Sequence, residues 1–240
     1  MVVLYTQSVY IMCKESFLEI SIIIPVYKEK KIDLFLKTIK NNKTLQNYEI
    51  IVVDGDGTSS IDTISVKNIT KIKSKKGRAN QMNEGAKYSN YDILLFLHAD
   101  TVLPNFALKS INEALKNDIN AGAFDLSFDT NKKSLKFIAF VASFRSFLTR
   151  LPYGDQAIFI KKETFNKIGG YEDINLMEDI NLMQKLKKQN HKIKILKQKV
   201  ITSPRKYENN GLIYNTLRNW VLSSLYFLGV NPNKLAKFYT

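Results

Sequence analysis

The chain has 240 residues, of which 45% are hydrophobic and 24% charged, and these proportions are typical of a folded globular protein. Its single cysteine, Cys13, excludes an intrachain disulfide, and no apolar run approaches the roughly 20 residues needed to span a bilayer. The formal net charge of +14 favours an anionic partner. Composition alone does not decide whether that partner is nucleic acid, an acidic membrane surface or a phosphorylated substrate.

The opening segment does not have the pattern of a secretory signal. It carries Lys14, Glu15 and Glu19, and it lacks the order of charged start, apolar middle and small-residue end. Together with the single cysteine, this leads us to expect a cytoplasmic protein. We treat residues 1–18 as an N-terminal tail outside the fold.

Predicted strands alternate with predicted helices in the first half of the chain. Apolar or β-branched runs predict strands over residues 20–25, 49–54 and 92–97, and a shorter strand is predicted over 67–73. Helices are predicted over 29–40, from apolar residues at helical spacing, and over 77–88. This alternation is typical of βαβ units, so we expect a mostly parallel sheet.

The second half contains longer predicted helices. They cover residues 104–116, 134–148, 177–186 and 212–228. Strands are predicted over 121–128, 157–160 and 192–196, and the last alternates lysine with isoleucine or leucine, as an edge strand does. No repeat, low-complexity segment or linker separates the halves, so we expect them to share one continuous sheet.

Polar loops follow three of the predicted strands. Asp54 ends one strand, Asp100 follows another, and the loop Pro25–Glu29 follows the first. The carboxyl ends of parallel strands meet at one edge of the sheet, where ligands bind. A carboxylate there can hold a divalent cation, which in turn holds phosphate oxygens. Alternatively, Asp100 caps the helix that begins near Pro104 or lies in the turn before it.

Four sequence blocks resemble those of the family-2 glycosyltransferases, which are inverting sugar transferases of GT-A architecture. In chain order the blocks are Ile22–Glu29, Val52–Gly55, His98–Asp100, and Glu178–Asp179 after Gly169–Tyr171. They are similar to the donor-base loop, the nucleotide motif of the second strand, the Asp-x-Asp motif and the acidic pair that supplies the base. The resemblance implies a Rossmann-like, three-layer α/β fold with a mostly parallel central sheet, followed here by C-terminal helices.

A narrower resemblance is to a bacterial subgroup named arsenosugar-biosynthesis glycosyltransferases. It is carried by the blocks Lys76–Gly85, Pro152–Gln156, Leu176–Asp179, Thr202–Arg205 and Leu217–Trp220. The subgroup's name suggests an acceptor that the residues themselves do not specify. Along the chain we expect a nucleotide-sugar-binding half over 19–101, an acceptor-binding and catalytic half over 102–208, and C-terminal helices over 209–240.

The resemblance implies a role for each matching residue. Asp179 is the implied general base and Glu178 its acidic partner, while Asp100 and His98 are the implied ligands of Mg²⁺ or Mn²⁺. Contact with the donor is implied for Pro25, Val26, Glu29, Asp54, Arg78, Asn83, Ala99, Asp100 and Arg205. Contact with the acceptor is implied for Tyr153, Asp155 and Gln156. A structural interpretation of the acidic pair is that it complements a helix N-terminus.

Two positions depart from the family pattern. Gly55 stands where a second acid often follows the residue matching Asp54, so recognition of the nucleobase falls to Asp54. His98 replaces the first acid of the Asp-x-Asp motif, so Asp100 must supply most of the direct metal coordination. A relative of the transferases that has lost catalysis is an alternative that these changes leave open.

The expected function is the metal-assisted transfer of a sugar, with inversion, from a UDP- or GDP-sugar to a hydroxyl of a small-molecule or lipid-linked acceptor. One alternative is a sugar nucleotidyltransferase, but the loop Pro25–Glu29 lacks the glycines that cradle a triphosphate. Another is a non-catalytic, basic nucleic-acid-binding protein. We expect no nucleic-acid partner, because no such motif is present and acidic strand ends repel a phosphate backbone.

A basic run precedes the aromatic C-terminal helix. Between Lys185 and Lys206 the chain has nine Lys or Arg residues and no acid, and Trp220, Tyr226 and Phe227 follow. One interpretation is peripheral contact with the inner face of a membrane. The simpler interpretation is a solvated basic face and an aromatic helix that packs in the core.

Overall fold

The computed structural model describes residues 18–55, 61–116 and 118–239. Most of the predicted tail, with Cys13, and the turn at 56–58 lie outside the described residues. The strands are β1 (Ile20–Val26), β2 (Tyr48–Asp54), β3 (Thr70–Lys73), β4 (Ile93–Phe96), β5 (Thr101–Val102), β6 (Ala121–Phe128), β7 (Ile158–Lys161) and β8 (Ile193–Thr202). The longer helices are α1 (Ile32–Asn41), α2 (Arg78–Lys87), α3 (Ala107–Leu115), α4 (Lys133–Thr149), α6 (Glu178–Lys188) and α8 (Leu212–Phe227), and the short ones are α5 (Lys162–Lys167), α7 (Arg205–Asn210) and α9 (Pro232–Leu235).

The strands form one mixed, mostly parallel sheet in the order β3-β2-β1-β4-β7-β6-β8-β5. The first four lie parallel to one another, as the βαβ alternation predicts, and β6 pairs in parallel with β8. β7 is inserted antiparallel between β4 and β6, and β5 pairs antiparallel with β8. Both halves of the chain therefore contribute to one sheet. The expected boundary between them, after residue 101, stays a prediction.

Helices cover both faces of the sheet and give the molecule three layers. Ile22 and Ile24 of β1 point into the core beneath α1, α3 and α4, whereas Ile23 points into the opposite core beneath α2 and α6. This alternation follows from the two-residue period of a strand. Because both faces of β1, β2 and β4 are buried, these strands are apolar along most of their length, which makes them predictable from the sequence. The α/β class and its GT-A arrangement are confirmed.

Two strands differ from their predicted form. The strand predicted over 67–73 begins only at Thr70, because Asn68 adopts a left-handed backbone with a φ of 59°. The strand predicted over 192–196 as a sheet edge instead runs over ten residues and lies between β6 and β5. Its lysines alternate because one face of the strand is exposed, which says nothing about its place in the sheet.

The helix α8 also differs from its simpler interpretation as a core helix. Trp220 and Phe227 are exposed, Tyr226 is partly buried, and only Asn215 and Leu222 of this helix are buried. No helix in the described residues combines the length and apolar character needed to cross a bilayer. The longest helix, α4, likewise leaves most of its phenylalanines in solvent.

Gly85 lies inside α2 where the helix touches the sheet. A Cβ atom there would overlap Ile23 Cγ2 and lie 3.1 Å from Val53 Cγ2. Alanine normally stabilises a helix interior by up to about 1 kcal/mol relative to glycine, but overpacking a core costs about 1–3 kcal/mol. We therefore expect Gly85→Ala to lower the free energy of unfolding in urea by about 1–2 kcal/mol. Lys87→Ala, on the solvent side of α2, is the control and should change it by less than about 0.5 kcal/mol; a stabilised Gly85→Ala variant would contradict this packing.

Candidate active site

The carboxyl ends of β1, β2 and β4 lie side by side at one edge of the sheet. Val26 pairs in register with Asp54, and the backbone N–H of Gly55 donates to the Val26 carbonyl over 3.0 Å. The loop after β4, which carries His98 and Asp100, follows at the same edge because β4 is parallel to β1. Asp100 does not cap a helix, since α3 begins only at Ala107.

Gln81 of α2 holds the ends of the first two strands together. Its buried Nε2 donates to the carbonyl of Val26 over 2.6 Å and to that of Val53 over 2.7 Å. The same amide fills the space beside Gly55, where a Cβ atom would lie 2.8 Å from Gln81 Cδ. A side chain at residue 55 would displace this bridge, which explains the departure from the family pattern. Sequence reasoning missed Gln81, for which the available signal was an amide on the apolar face of a predicted helix.

Glu178 and Asp179 are the first two residues of α6, and both are buried. Met177, just before them, has a φ of 64° and turns the chain sharply into the helix. Glu178 Oε1 lies 2.5 Å from Arg78 Nε, and Arg78 is the first residue of α2. The acidic pair therefore does more than offset the positive end of the α6 dipole. An ion pair also joins it to the N-terminus of α2.

The environment of Asp179 suits a proton acceptor. Its Oδ2 accepts a hydrogen bond from the backbone N–H of Gly154 over 2.9 Å. Burial and then the Glu178 carboxylate raise the pKa of Asp179 to about 7, against the opposing effect of the Arg78 cation. Tyr171 lies buried beside it, and burial followed by the Asp179 charge raises the pKa of this phenol well above its ordinary value. A carboxyl with a pKa near neutral pH is well placed for general base work.

Gly154 is the point where two separate loops approach the acidic pair. A Cβ atom at this residue would lie 2.8 Å from His98 Nε2 and closer still to Asp179 Oδ2. His98 follows β4 and Asp179 begins α6, so residues distant in the chain meet at one backbone atom. Only glycine leaves room for this contact.

Asp100 lies opposite Arg205 at the start of α7. Asp100 Oδ2 is 3.6 Å from Arg205 Nη2, and both side chains are partly exposed. Arg205 Nε donates to Ser203 Oγ over 3.2 Å, while the backbone N–H of Ser203 donates to the Asp100 carbonyl over 3.2 Å. This arrangement places an accessible carboxylate and a guanidinium together, as the binding of a metal–phosphate group requires.

The described residues fit a divalent cation only in part. Within them, no group of three or more His, Cys, Asp or Glu side chains is arranged to hold a metal by itself. Asp100 and His98 supply one carboxylate and one imidazole at this edge. Mg²⁺ is commonly held by one or two carboxylates, with substrate phosphates and water as the other ligands. A cation at this edge would therefore take most of its ligands from a bound diphosphate and from water.

The three residues predicted to contact the acceptor lie in different environments. Gln156 is fully buried. Its Oε1 accepts a hydrogen bond from Ser146 Oγ over 2.6 Å, and its Nε2 donates to the Phe124 carbonyl over 3.0 Å. In this position it stabilises the loop through buried hydrogen bonds. Tyr153 is half-buried, with its ring centre 4.0 Å from the Arg145 guanidinium carbon. Asp155 lies near the base, and its charge is among those that raise the pKa of Asp179.

The remaining predicted donor residues also vary in exposure. Asp54 and Val26 are buried at the strand ends, and Pro25, Ala99 and Glu29 are half-buried. Asn83 uses its side-chain amide on the backbone of Tyr171: Nδ2 donates to the carbonyl over 2.8 Å, and Oδ1 accepts from the N–H over 2.9 Å. In this structure Asn83 thus holds the turn that precedes the acidic pair.

Removal of the Arg78 cation should leave the buried Glu178 carboxylate without its ion pair. We expect Arg78→Met to lower the free energy of unfolding in urea at pH 7 by about 2 kcal/mol, less than for a fully buried pair because Arg78 is partly exposed. The double variant Arg78→Met/Glu178→Gln should recover roughly half of this loss, since it removes the uncompensated charge. A double variant no more stable than Arg78→Met would show that the ion pair does not hold the two helices.

Comparisons with known proteins identify the family to which this geometry belongs. The sequence model described as "Glycosyl transferase family 2" matches residues 21–172. Among solved structures, the mannosyltransferase PcManGT from Pyrobaculum calidifontis, in complex with GDP-Man and Mn²⁺, is similar with a TM-score of 0.60 and 17% identity, over 77% of this chain and 56% of that one. S. aureus TarS, residues 1–349, is similar with a TM-score of 0.60 and 17% identity, over 79% of this chain and 62% of that one.

The likeness to these two structures shows the fold alone, because the identity is low. The chain spans less than two thirds of either neighbour's length, at 56% and 62%. No curated protein matches the sequence significantly. The family match covers more than half of the chain and includes the strand ends, the loop after β4 and the turn before the acidic pair. On this evidence the chain belongs to glycosyl transferase family 2.

Proposed function

We propose that this protein transfers a sugar, with inversion at the anomeric carbon, from a nucleotide-sugar donor to an acceptor hydroxyl. The observation that carries the proposal is the buried Asp179, oriented by Gly154 and flanked by Glu178 and Arg78, at the edge where the parallel strands end. Family membership supports sugar transfer over the nucleotidyltransferase and nucleic-acid-binding alternatives. A carboxylate base at Asp179 supports direct displacement.

Asp179 is the proposed general base. Gly154 fixes its Oδ2, while its Oδ1 accepts no hydrogen bond of good geometry within the described residues. Oδ1 is then the oxygen that takes the proton of the acceptor hydroxyl. The hydroxyl oxygen bonds to the anomeric carbon on the face opposite the donor diphosphate, and the sugar–phosphate bond breaks with its electron pair on the diphosphate. A base in this position contributes roughly 10²–10⁴-fold to the rate.

The donor diphosphate is proposed to bind at Asp100. We infer that Asp100, with His98, holds Mg²⁺ or Mn²⁺, whose chemistry is to neutralise charge on the leaving diphosphate. Arg205 places a guanidinium 3.6 Å from Asp100 and supplies a second positive charge there. The GDP-Man bound by the Pyrobaculum mannosyltransferase supports a nucleotide sugar as the donor, for which we propose a UDP- or GDP-sugar.

The acceptor is proposed to be a hydroxyl of a small-molecule or lipid-linked compound that enters past Tyr153 and Asp155. The blocks 76–85, 152–156 and 176–179 support placing the chain with the arsenosugar-biosynthesis subgroup, which we propose on the sequence alone. Peripheral contact with a membrane is argued separately below from the exposed helices.

Loss of the Asp179 carboxylate should abolish most of the catalysis. The donor is first identified by a thermal-shift panel of UDP- and GDP-sugars with Mn²⁺. Turnover is then measured as hydrolysis of that donor, with water as the acceptor. We expect Asp179→Asn to lower kcat by at least about 100-fold with little change in donor affinity. Asp118→Asn, an acid-to-amide change at an exposed residue far from the strand ends, is the control. Full turnover by a folded Asp179→Asn variant would overturn the assignment of the base.

The rate should also depend on pH in a direction fixed by the raised pKa. Because the base must be ionised and its pKa is about 7, kcat/KM should rise with pH and level off above about 7. The residual activity of Asp179→Asn should lack this acid limb. A wild-type profile that is flat from pH 5 to pH 8 would be inconsistent with a base of this pKa.

Donor binding should depend on Asp100 through the metal. In titration calorimetry with Mn²⁺, we expect Asp100→Asn to weaken donor binding by about tenfold, or about 1.4 kcal/mol. With EDTA in place of Mn²⁺, the variant and the wild type should bind the donor equally. Asp92→Asn is the matched control, because Asp92 precedes β4 and lies at the opposite edge of the sheet. An equal loss in EDTA would show that Asp100 acts without a metal.

A further inference from the structure

The helix α4 presents a row of phenylalanines to solvent. Phe137, Phe140, Phe144 and Phe147 are between 55% and 65% exposed, and their spacing places them on one side of the helix. The opposite side, with Leu135 and Ala139, packs on the core. A row of four phenylalanines on one side of a helix is normally covered by another apolar surface. The phenylalanine side of α4 therefore has no apolar surface packed against it within the described residues.

The helix α8 has the same property. Leu217, Trp220, Val221 and Phe227 are between 52% and 60% exposed and recur at helical spacing. On the other side of the helix, Leu222 packs with Leu176 and Leu235. We call the exposed apolar side chains of α4 and α8 together the aromatic surface.

Contacts at both ends show that α4 and α8 are neighbours that run in the same direction. Lys132, before α4, lies 3.6 Å from Glu208, shortly before α8. Further along, the Arg145 guanidinium of α4 stacks at 4.0 Å on the Tyr153 ring, whose hydroxyl donates to Ser223 Oγ of α8 over 3.4 Å. Side chains therefore link the two helices at both ends. Single exposed apolar residues are ordinary, but a row of four on each of two linked helices marks an interaction site.

The charge of the aromatic surface identifies its partner. Residues 130–154 and 209–240, which contain the two helices, have no acidic residue. Their basic residues are Lys133, Lys136, Arg145, Arg150, Arg218, Lys234 and Lys237, together with Lys132, which pairs with Glu208 outside these ranges. A second copy of the chain would bring positive charge against positive charge, and a nucleic acid would not cover phenylalanines. An anionic lipid surface offers both negative headgroups and an apolar layer beneath them.

We propose that α4 and α8 dock on an anionic membrane, with the aromatic surface inserted at the level of the headgroups. The sequence pattern suggests a membrane contact through the basic run 185–206 and the helix that follows it. The structure adds α4 as a second helix of the proposed contact. The buried side of α8 lies near the acidic pair, because Leu222 belongs to one cluster with Leu176, two residues before Glu178. The membrane contact does not depend on the chemistry proposed above.

Trp220 is a built-in reporter for this contact, because it is the only tryptophan in the chain and is 60% exposed. Purified full-length protein is titrated with vesicles of equal parts phosphatidylglycerol and phosphatidylcholine, or of phosphatidylcholine alone. We expect the Trp220 emission to shift to shorter wavelength with the anionic vesicles only, and acyl-chain brominated lipids to quench it. The protein should float with these vesicles, and high salt should weaken the binding.

The double variant Phe140→Asp/Phe144→Asp tests α4 while Trp220 still reports on α8. We expect its partition onto anionic vesicles to fall by more than tenfold. The matched control, Leu34→Asp/Tyr88→Asp, alters two apolar residues that are 63% and 56% exposed outside the aromatic surface, and it should bind as the wild type does. Far-UV circular dichroism and the thermal unfolding temperature, measured without vesicles, should be equal in all three proteins, which shows that each is folded whether or not the proposed function is correct.

Three results would overturn the proposal. The first is a folded protein whose Trp220 emission does not respond to anionic vesicles. The second is a dimer that dissociates in the Phe140→Asp/Phe144→Asp variant, since a second copy would then cover the aromatic surface. The third is vesicle binding that appears only after residues 1–17 are deleted, since that segment would then be the occupant.

Discussion

The ion pair between Arg78 and Glu178 is the contact on which the site depends. It joins the first residue of α2 to the first residue of α6, and both helices pack on the same face of the sheet. Two adjacent buried carboxylates repel each other in a low-dielectric interior, so one nearby cation decides whether both remain there. Because the Arg78 cation offsets the charge of Glu178, the pKa of Asp179 is raised only to about 7. Asp179 can therefore still ionise near neutral pH.

Hydrogen bonds to the backbone give the site its rigidity. Gln81 fastens the ends of β1 and β2, Asn83 fastens the turn at Tyr171, and the N–H of Gly154 orients Asp179. Each of these side chains or backbone groups spans elements that are far apart in the sequence. The glycine at residue 154 follows from this arrangement, because the backbone must come close to Asp179 and His98.

The two proposals each give a use for part of the net positive charge of the chain. Arg78 and Arg205 lie at the strand ends, where a donor diphosphate would bring negative charge. The helices α4 and α8 contain no acidic residue, and they carry four cations and a set of exposed aromatic side chains. Leu222, on the buried side of α8, connects the two regions, since it belongs to one cluster with Leu176 in the loop before the acidic pair.

The sequence by itself determined the buried strands, their acidic ends and the order of the family motifs, because an apolar run flanked by polar residues is a local signal. It also placed Asp100 and Asp179 in the candidate site. Only the tertiary structure decided that β8 is internal, that Gln156 is buried and that Phe140 is exposed. Periodicity shows which side chains share a face of a helix or strand. Whether another element covers that face depends on contacts between distant segments, which no local pattern contains.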